Sequence, residues 1–107
     1  MLAVDTTELK RRVFKAVDDA LPLVKSYAED IALHPELGFS ENRTSTKLYE
    51  ALKSLGLDVQ RGLALTGLRS DVGGNPGPKI AVLGELDGIV CRNHPQADSV
   101  TGASHSC

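Results

Sequence analysis

Lys79-Ile80-Ala81-Val82-Leu83-Gly84-Glu85-Leu86-Asp87 is the stretch on which the fold turns. Ile80 to Leu83 are apolar on both sides of an extended chain. That is the pattern of a central strand covered on both faces. Such a strand needs paired neighbours and a packed layer on each side. Two carboxylates, Glu85 and Asp87, follow it directly, and the rest of the chain is polar and rich in His, Cys and Asp. Sites in open α/β sheets form beyond the carboxyl ends of the strands, so residues 85–107 are where chemistry is expected. They show no periodicity and read as a loop.

Upstream of this strand, Gly73-Gly74-Asn75-Pro76-Gly77-Pro78 predicts a tight turn or hairpin loop. Before it, Leu57–Arg61 and Leu68–Val72 alternate with period two, which predicts two more strands. Further back the period is helical. Leu9, Val13, Val17, Ala20, Val24, Tyr27 and Ile31 recur at steps of three and four, behind an N-cap at Asp5. Pro22 falls within this run, so either one helix passes through it or a second begins near it. The helical stretch ends before Pro35. A second helix is expected after a Ser40 cap, with Thr44, Leu48, Ala51, Leu52 and Leu55 on its apolar face and Gly56 at its end. Two helical segments and about three strands make an α/β chain.

Composition narrows the partners. The chain of 107 residues is 41% hydrophobic but only 4% aromatic and has no Trp, so a core must rest on Leu, Val, Ala and Ile. Net charge is −2 with the signs interspersed, and no basic stripe suits a phosphate backbone. No apolar run approaches the ~18–20 residues that span a bilayer. No nucleic acid, no membrane and a cytoplasmic location are the expectations. The two cysteines, Cys91 and Cys107, make no disulfide framework and read as reduced thiols.

Glu85 and Asp87, two apart in an extended chain, point the same way. That suits metal binding or the support of a ligand histidine, although spacing alone favours two solvated loop acids. His105-Ser106-Cys107 places an imidazole and a thiol two apart, both suited to zinc-like metals. Alone, this too reads as a loop thiol near a histidine. His34 reads as a capping residue, His94 as solvent-facing.

Taken together, His34-Pro35-Glu36-Leu37-Gly38-Phe39-Ser40-Glu41, Thr44-Ser45, Leu52 with Leu55-Gly56, Gly62, Thr66-Gly67, Leu83-Gly84-Glu85-Leu86-Asp87 and Thr101-Gly102-Ala103 with His105 and Cys107 resemble peptidase family M-twenty, in its aminobenzoyl-glutamate and hippurate hydrolase-like branch. The resemblance implies residues 1–107 are the N-terminal portion of a zinc-peptidase-like catalytic domain, truncated at its metal site. It implies a metal-dependent hydrolase that cleaves the amide of an N-acyl or aminoacyl amino acid with two divalent ions, zinc or manganese, as a homodimer when full length. Residue by residue, Cys107 matches a metal ligand and Asp87 a catalytic-site aspartate that orients a metal-bound histidine. His105 matches a histidine that supports the ligands without binding metal. Asp87-Gly88-Ile89-Val90 and the polar residues 91–100 depart from the branch's pattern. The alternatives are a non-catalytic truncated remnant and a small α/β interaction module.

Overall fold

The structure, a computed structural model, describes residues 5–74 and 76–105. Asp5 caps the first helix as expected. Its Oδ1 accepts the N–H of Thr7 at 2.9 Å and of Glu8 at 3.4 Å, which satisfies two donors the helix itself leaves unpaired. From this cap α1 (Thr6–Leu33) runs as one helix of 28 residues with Pro22 inside it. Only His34 separates its end from Pro35. No helix is long and apolar enough to cross a membrane among the described residues.

The chain divides into two compact units, residues 1–31 and 32–107, and each is taken by itself. The first unit is α1, in which no residue is buried. Leu9, Val13, Val17 and Val24 of its apolar stripe are each about half exposed.

In the second unit, α2 (Asn42–Ser54) forms where its apolar spacing predicts it. Its cap is a correction: the carboxylate comes from Glu36, not from Ser40. A turn closed by Ser40 N–H donating to Leu37 O at 2.9 Å, with Phe39 at φ 65°, folds the chain back over the helix end. Glu36 then accepts Arg43 N–H at 3.0 Å, Thr44 N–H at 2.7 Å and the Thr44 hydroxyl at 2.8 Å. Burial pushes the Glu36 carboxyl up, but these three bonds and the Arg43 charge outweigh it and hold it below its usual range. At the other end Gly56 takes φ 78°. Gly56 N–H donates to Lys53 O and Leu57 N–H to Leu52 O, the paired bonds of a glycine-terminated helix.

β1 (Gln60–Leu63) and β2 (Gly67–Arg69) pair antiparallel, with a bulge between Arg61 and Leu63. The turn between them holds Ala64 at φ 46° and Leu65 at φ 78°, a left-handed backbone that costs a residue with a side chain about 1–2 kcal/mol. Helix α2 steadies it. Ser45 donates to Thr66 O, and the Thr66 hydroxyl donates to Glu41 Oε2, both at 2.6 Å. Glu41, Thr44, Ser45 and Thr66 are all buried. A Cβ on Gly67 would lie 2.6 Å from Leu63 O, so the tight return needs glycine.

The expected central strand is a second correction. Residues 79–88 form no strand, and Ile80, Val82 and Leu83 are 89%, 95% and 94% exposed. A doubly apolar strand is stable only between partners, and the described residues supply none for it. The Gly73–Pro78 stretch accordingly joins no two strands. The hairpin instead forms further on, where a structureless loop was expected: β3 (Ile89–Val90) pairs antiparallel with β4 (Ala103–Ser104). Strands of two residues are too short to register as alternation. The connection between them is ordered. Cys91 N–H donates to Gly102 O and Gly102 N–H to Asp98 O, both at 2.8 Å. The Asp98 carboxylate accepts Thr101 N–H, Val100 N–H and the Thr101 hydroxyl, which lower its pKa in that order of weight. Helices and strands are both present, as expected of an α/β chain, but the named ladders are antiparallel.

Glu36 makes a direct prediction. Its folded pKa is depressed, so its contribution is complete above the unfolded value, about 4.3, and is lost as pH falls through the folded value. Glu36→Ala is expected to cost about 1–2 kcal/mol near neutrality. The loss should shrink below pH 4 in urea unfolding of wild type and variant side by side.

Candidate functional site

Residues 36–38, 87–88 and 103–105 come from distant parts of the sequence and meet at Gly88. On one side Gly88 N–H donates to Glu36 O at 2.7 Å, and Leu37 and Gly88 form a parallel bridge. On the other side the β3–β4 ladder pairs Ile89 with Ser104 and Val90 with Ala103. Continued by one residue, this register sets Gly88 opposite His105. The fit is close: a Cβ on Gly88 would lie 2.9 Å from Ser104 O and 3.1 Å from Ser104 C. Gly88, Ala103 and Ser104 are buried.

Asp87 stands at the rim of this junction. Its carboxylate lies beside the Gly38 backbone, with Oδ2 3.9 Å from where a Gly38 Cβ would be. It is exposed and makes no hydrogen bond or ion pair among the described residues. The same holds for Glu85. His105 directly follows β4. Its Nε2 is buried and has no hydrogen-bond partner, a condition that costs about 1–3 kcal/mol when left uncompensated. The ladder therefore brings the segments of Asp87 and His105 together, whereas Cys107 lies outside the described residues.

Other expectations divide. His94 is half-buried, not solvent-facing: its Nδ1 accepts Gln96 N–H at 3.1 Å and its own N–H donates to Cys91 O. Cys91 is disulfide-bonded rather than a reduced thiol. Sequence reasoning missed Glu36 and Asp98 as organisers. A carboxylate six residues before a helix has no recognised capping spacing, and Asp98 carried only the general turn preference of aspartate.

Among the described residues no three His, Cys, Asp or Glu come together as a cation site. Neither Asp87 nor His105 is expected to bind a metal directly, and Cys107, which is, lies outside the described residues. A groove of about 950 Å³ lies between Leu52, Leu57, Leu68 and residues 70–74 and 77–83 and includes neither Asp87 nor His105. It does not mark the candidate site.

No protein-family model matches the chain, and no solved structure matches it significantly. Curated proteins do. The chain is 24% identical over 103 residues, 92% of its length, to a Bacillus subtilis protein named as an amidohydrolase, YhaA. It is 26% identical over 102 residues, again 92% of its length, to an N-acyl-L-amino acid amidohydrolase of Geobacillus stearothermophilus. A Rhodococcus jostii protein named as a glutamate–cysteine ligase is 36% identical over 84 residues, 76% of this chain but 11% of that protein. The chain spans about a quarter of the two amidohydrolases, 26% and 28% of their lengths.

Gly88→Ala tests the junction. Its Cβ cannot be accommodated against the Ser104 carbonyl without parting the β3–β4 ladder, and a loss of about 1–3 kcal/mol is expected. Hydrogen exchange read at the Ile89 and Ser104 amides should accelerate with it, while the α2 amides should keep their protection. Over most of its length the chain is thus distantly similar to proteins named as amidohydrolases.

Proposed function

We propose that this sequence is part of a metal-dependent amidohydrolase that cleaves the amide bond of an N-acyl or aminoacyl amino acid. The observation that supports the reading is the Gly88 junction, where the segment of Asp87, which resembles an orienting aspartate, meets the β3–β4 ladder that His105 follows. The names of the two amidohydrolase relatives support the reaction class. The substrate is a small amide, and the ions are two divalent metals, zinc or manganese. The complete protein is read as a cytoplasmic homodimer.

Each residue has a separate role in this reading. In its reduced form Cys107 ligates as a thiolate, so metal retention is lost on oxidation and weakens toward acid pH. Asp87 accepts the outer N–H of a ligand imidazole and so fixes its tautomer. His105 packs behind the ligands. A bound divalent ion supplies a more acidic water and a polarised carbonyl.

The full-length protein provides the test. Release of the amino acid from a panel of N-acyl amino acids is measured before chelation, after it, and after return of zinc or manganese. Chelation should abolish release and the metal restore it. Asp87→Asn should lower metal affinity or activity about 10–100-fold, and Cys107→Ser should lower the metal content found by elemental analysis. Full activity in metal-depleted protein, or unchanged metal content in Cys107→Ser, overturns the reading.

A further inference from the structure

Cys91 is the cysteine that the hydrolase reading leaves unused. The chain holds two cysteines, Cys91 and Cys107. Cys91 is disulfide-bonded, so by composition its partner within the chain is Cys107, the residue that the proposed function makes a metal ligand. One sulfur cannot fill both roles. A metal-binding cysteine offers a thiolate with its negative charge, whereas a disulfide sulfur carries none. The bridged chain and the metal-binding chain are therefore exclusive covalent states of the same residue.

The surroundings of Cys91 suit a bond that opens and closes. Cys91 directly follows β3, and hydrogen bonds hold its backbone independently of its sulfur. Its N–H donates to Gly102 O at 2.8 Å, and its O accepts His94 N–H at 3.0 Å. Asp98 closes the same connection through Gly102 N–H, Thr101 N–H and the Thr101 hydroxyl. None of these bonds needs the bridge, so opening it does not dismantle the backbone around Cys91. The residue is half-buried and is followed by exposed Arg92 and Asn93, which gives a small thiol or disulfide access to it. In a reducing compartment such a disulfide is transient and redox-sensing rather than a structural staple. Cys91 also lies in the stretch 91–100 that departs from the branch's pattern, so its role is separable from the shared chemistry.

We infer that Cys91 is the resolving thiol of a redox switch: under oxidising conditions it takes Cys107 into a disulfide and withholds the thiolate that binds metal, and under reducing conditions it gives that thiolate back. The inference rests on the hydrolase reading. The oxidant is a small-molecule disulfide such as oxidised glutathione. The Cys107 thiolate attacks one of its sulfurs, a mixed disulfide forms and one small thiol leaves. Cys91 then attacks the Cys107 sulfur and the second small thiol leaves. Two electrons pass from the cysteine pair to the small disulfide, and the two cysteine protons end on the two released thiols. Two molecules of small thiol run the sequence backwards.

The test uses the full-length protein, reduced and loaded with zinc, in glutathione buffers of graded oxidised-to-reduced ratio. Peptide mapping without reductant reads the bridge, and elemental analysis reads the zinc. As the ratio rises, a peptide pair linking Cys91 to Cys107 is expected to appear and zinc content to fall with it. Dithiothreitol followed by fresh zinc should reverse both. Cys91→Ser should raise the ratio needed for half loss of zinc about tenfold or more, because only a mixed disulfide at Cys107 then remains open to the oxidant. The inference is overturned if the linked pair is absent under oxidised glutathione or joins two copies instead. It is equally overturned if zinc stays in full with the bridge formed, or if Cys91→Ser loses zinc at the wild-type ratio. A reduced protein that takes up no zinc sinks the hydrolase reading and the switch together, whereas the other outcomes leave that reading standing.

Discussion

The approach of three backbone segments at Gly88 is the constraint on which the second unit's candidate site depends. One neighbour takes its N–H, at Glu36 O, and the other presses on its Cα, at the Ser104 carbonyl. A side chain at position 88 would keep the hydrogen bond to Glu36 but lose the contact with Ser104, because the ladder would have to move outward. Asp87 and His105 flank this junction, yet neither makes it. Their backbone segments meet at a residue with no side chain, which is why glycine is tolerated between Asp87 and a strand despite its entropic cost.

Polar bonds hold the rest of the unit where an apolar core would be looked for. Ala103 and Pro35 are buried apolar residues, while Glu41, Thr44, Ser45, Thr66 and Ser104 are buried as well. The link from α2 to the hairpin turn runs from Ser45 to the Thr66 carbonyl and back from the Thr66 hydroxyl to Glu41. A network of this kind is directional. It fixes a strained turn at Ala64 and Leu65 more narrowly than apolar contact would, and losing one member leaves others buried without partners. Glu36 adds a pH-sensitive clamp at the start of the same helix. Position is thereby set by a few short bonds, not by the bulk of a core.

The legible part of the fold was the part with long periods. Seven stripe positions on α1, the Asp5 cap and the Gly56 stop are local signals, and each appears where the sequence places it. The Ile80–Leu83 pattern was read correctly as chemistry and wrongly as structure. It states what a strand requires on both faces, not whether these residues provide it. The Glu36 cap depends on a left-handed turn at Phe39 that no spacing rule reports. As for the site, the spacing of Glu85, Asp87 and His105 favoured solvated loop residues. Only the resemblance singled out Asp87 and His105. The polar stretch 91–102 held turn formers but no pattern that announced a closed connection.

Apolar surface and fixed geometry are therefore separated in this sequence. Ile80, Val82 and Leu83 are more exposed than ordinary surface aliphatics, and the α1 stripe is half exposed along its length. Burying one such side chain fully is worth about 1.5–3 kcal/mol, so these segments hold a large unused driving force for association. The polar junctions need no such burial, since their hydrogen bonds close within short turns and hairpins. A chain built this way can set the positions of Asp87 and His105 before its apolar faces are covered. Covering them then adds stability without having to define the site, and the most strongly apolar stretch need not be the one that specifies where the carboxylate and imidazole stand.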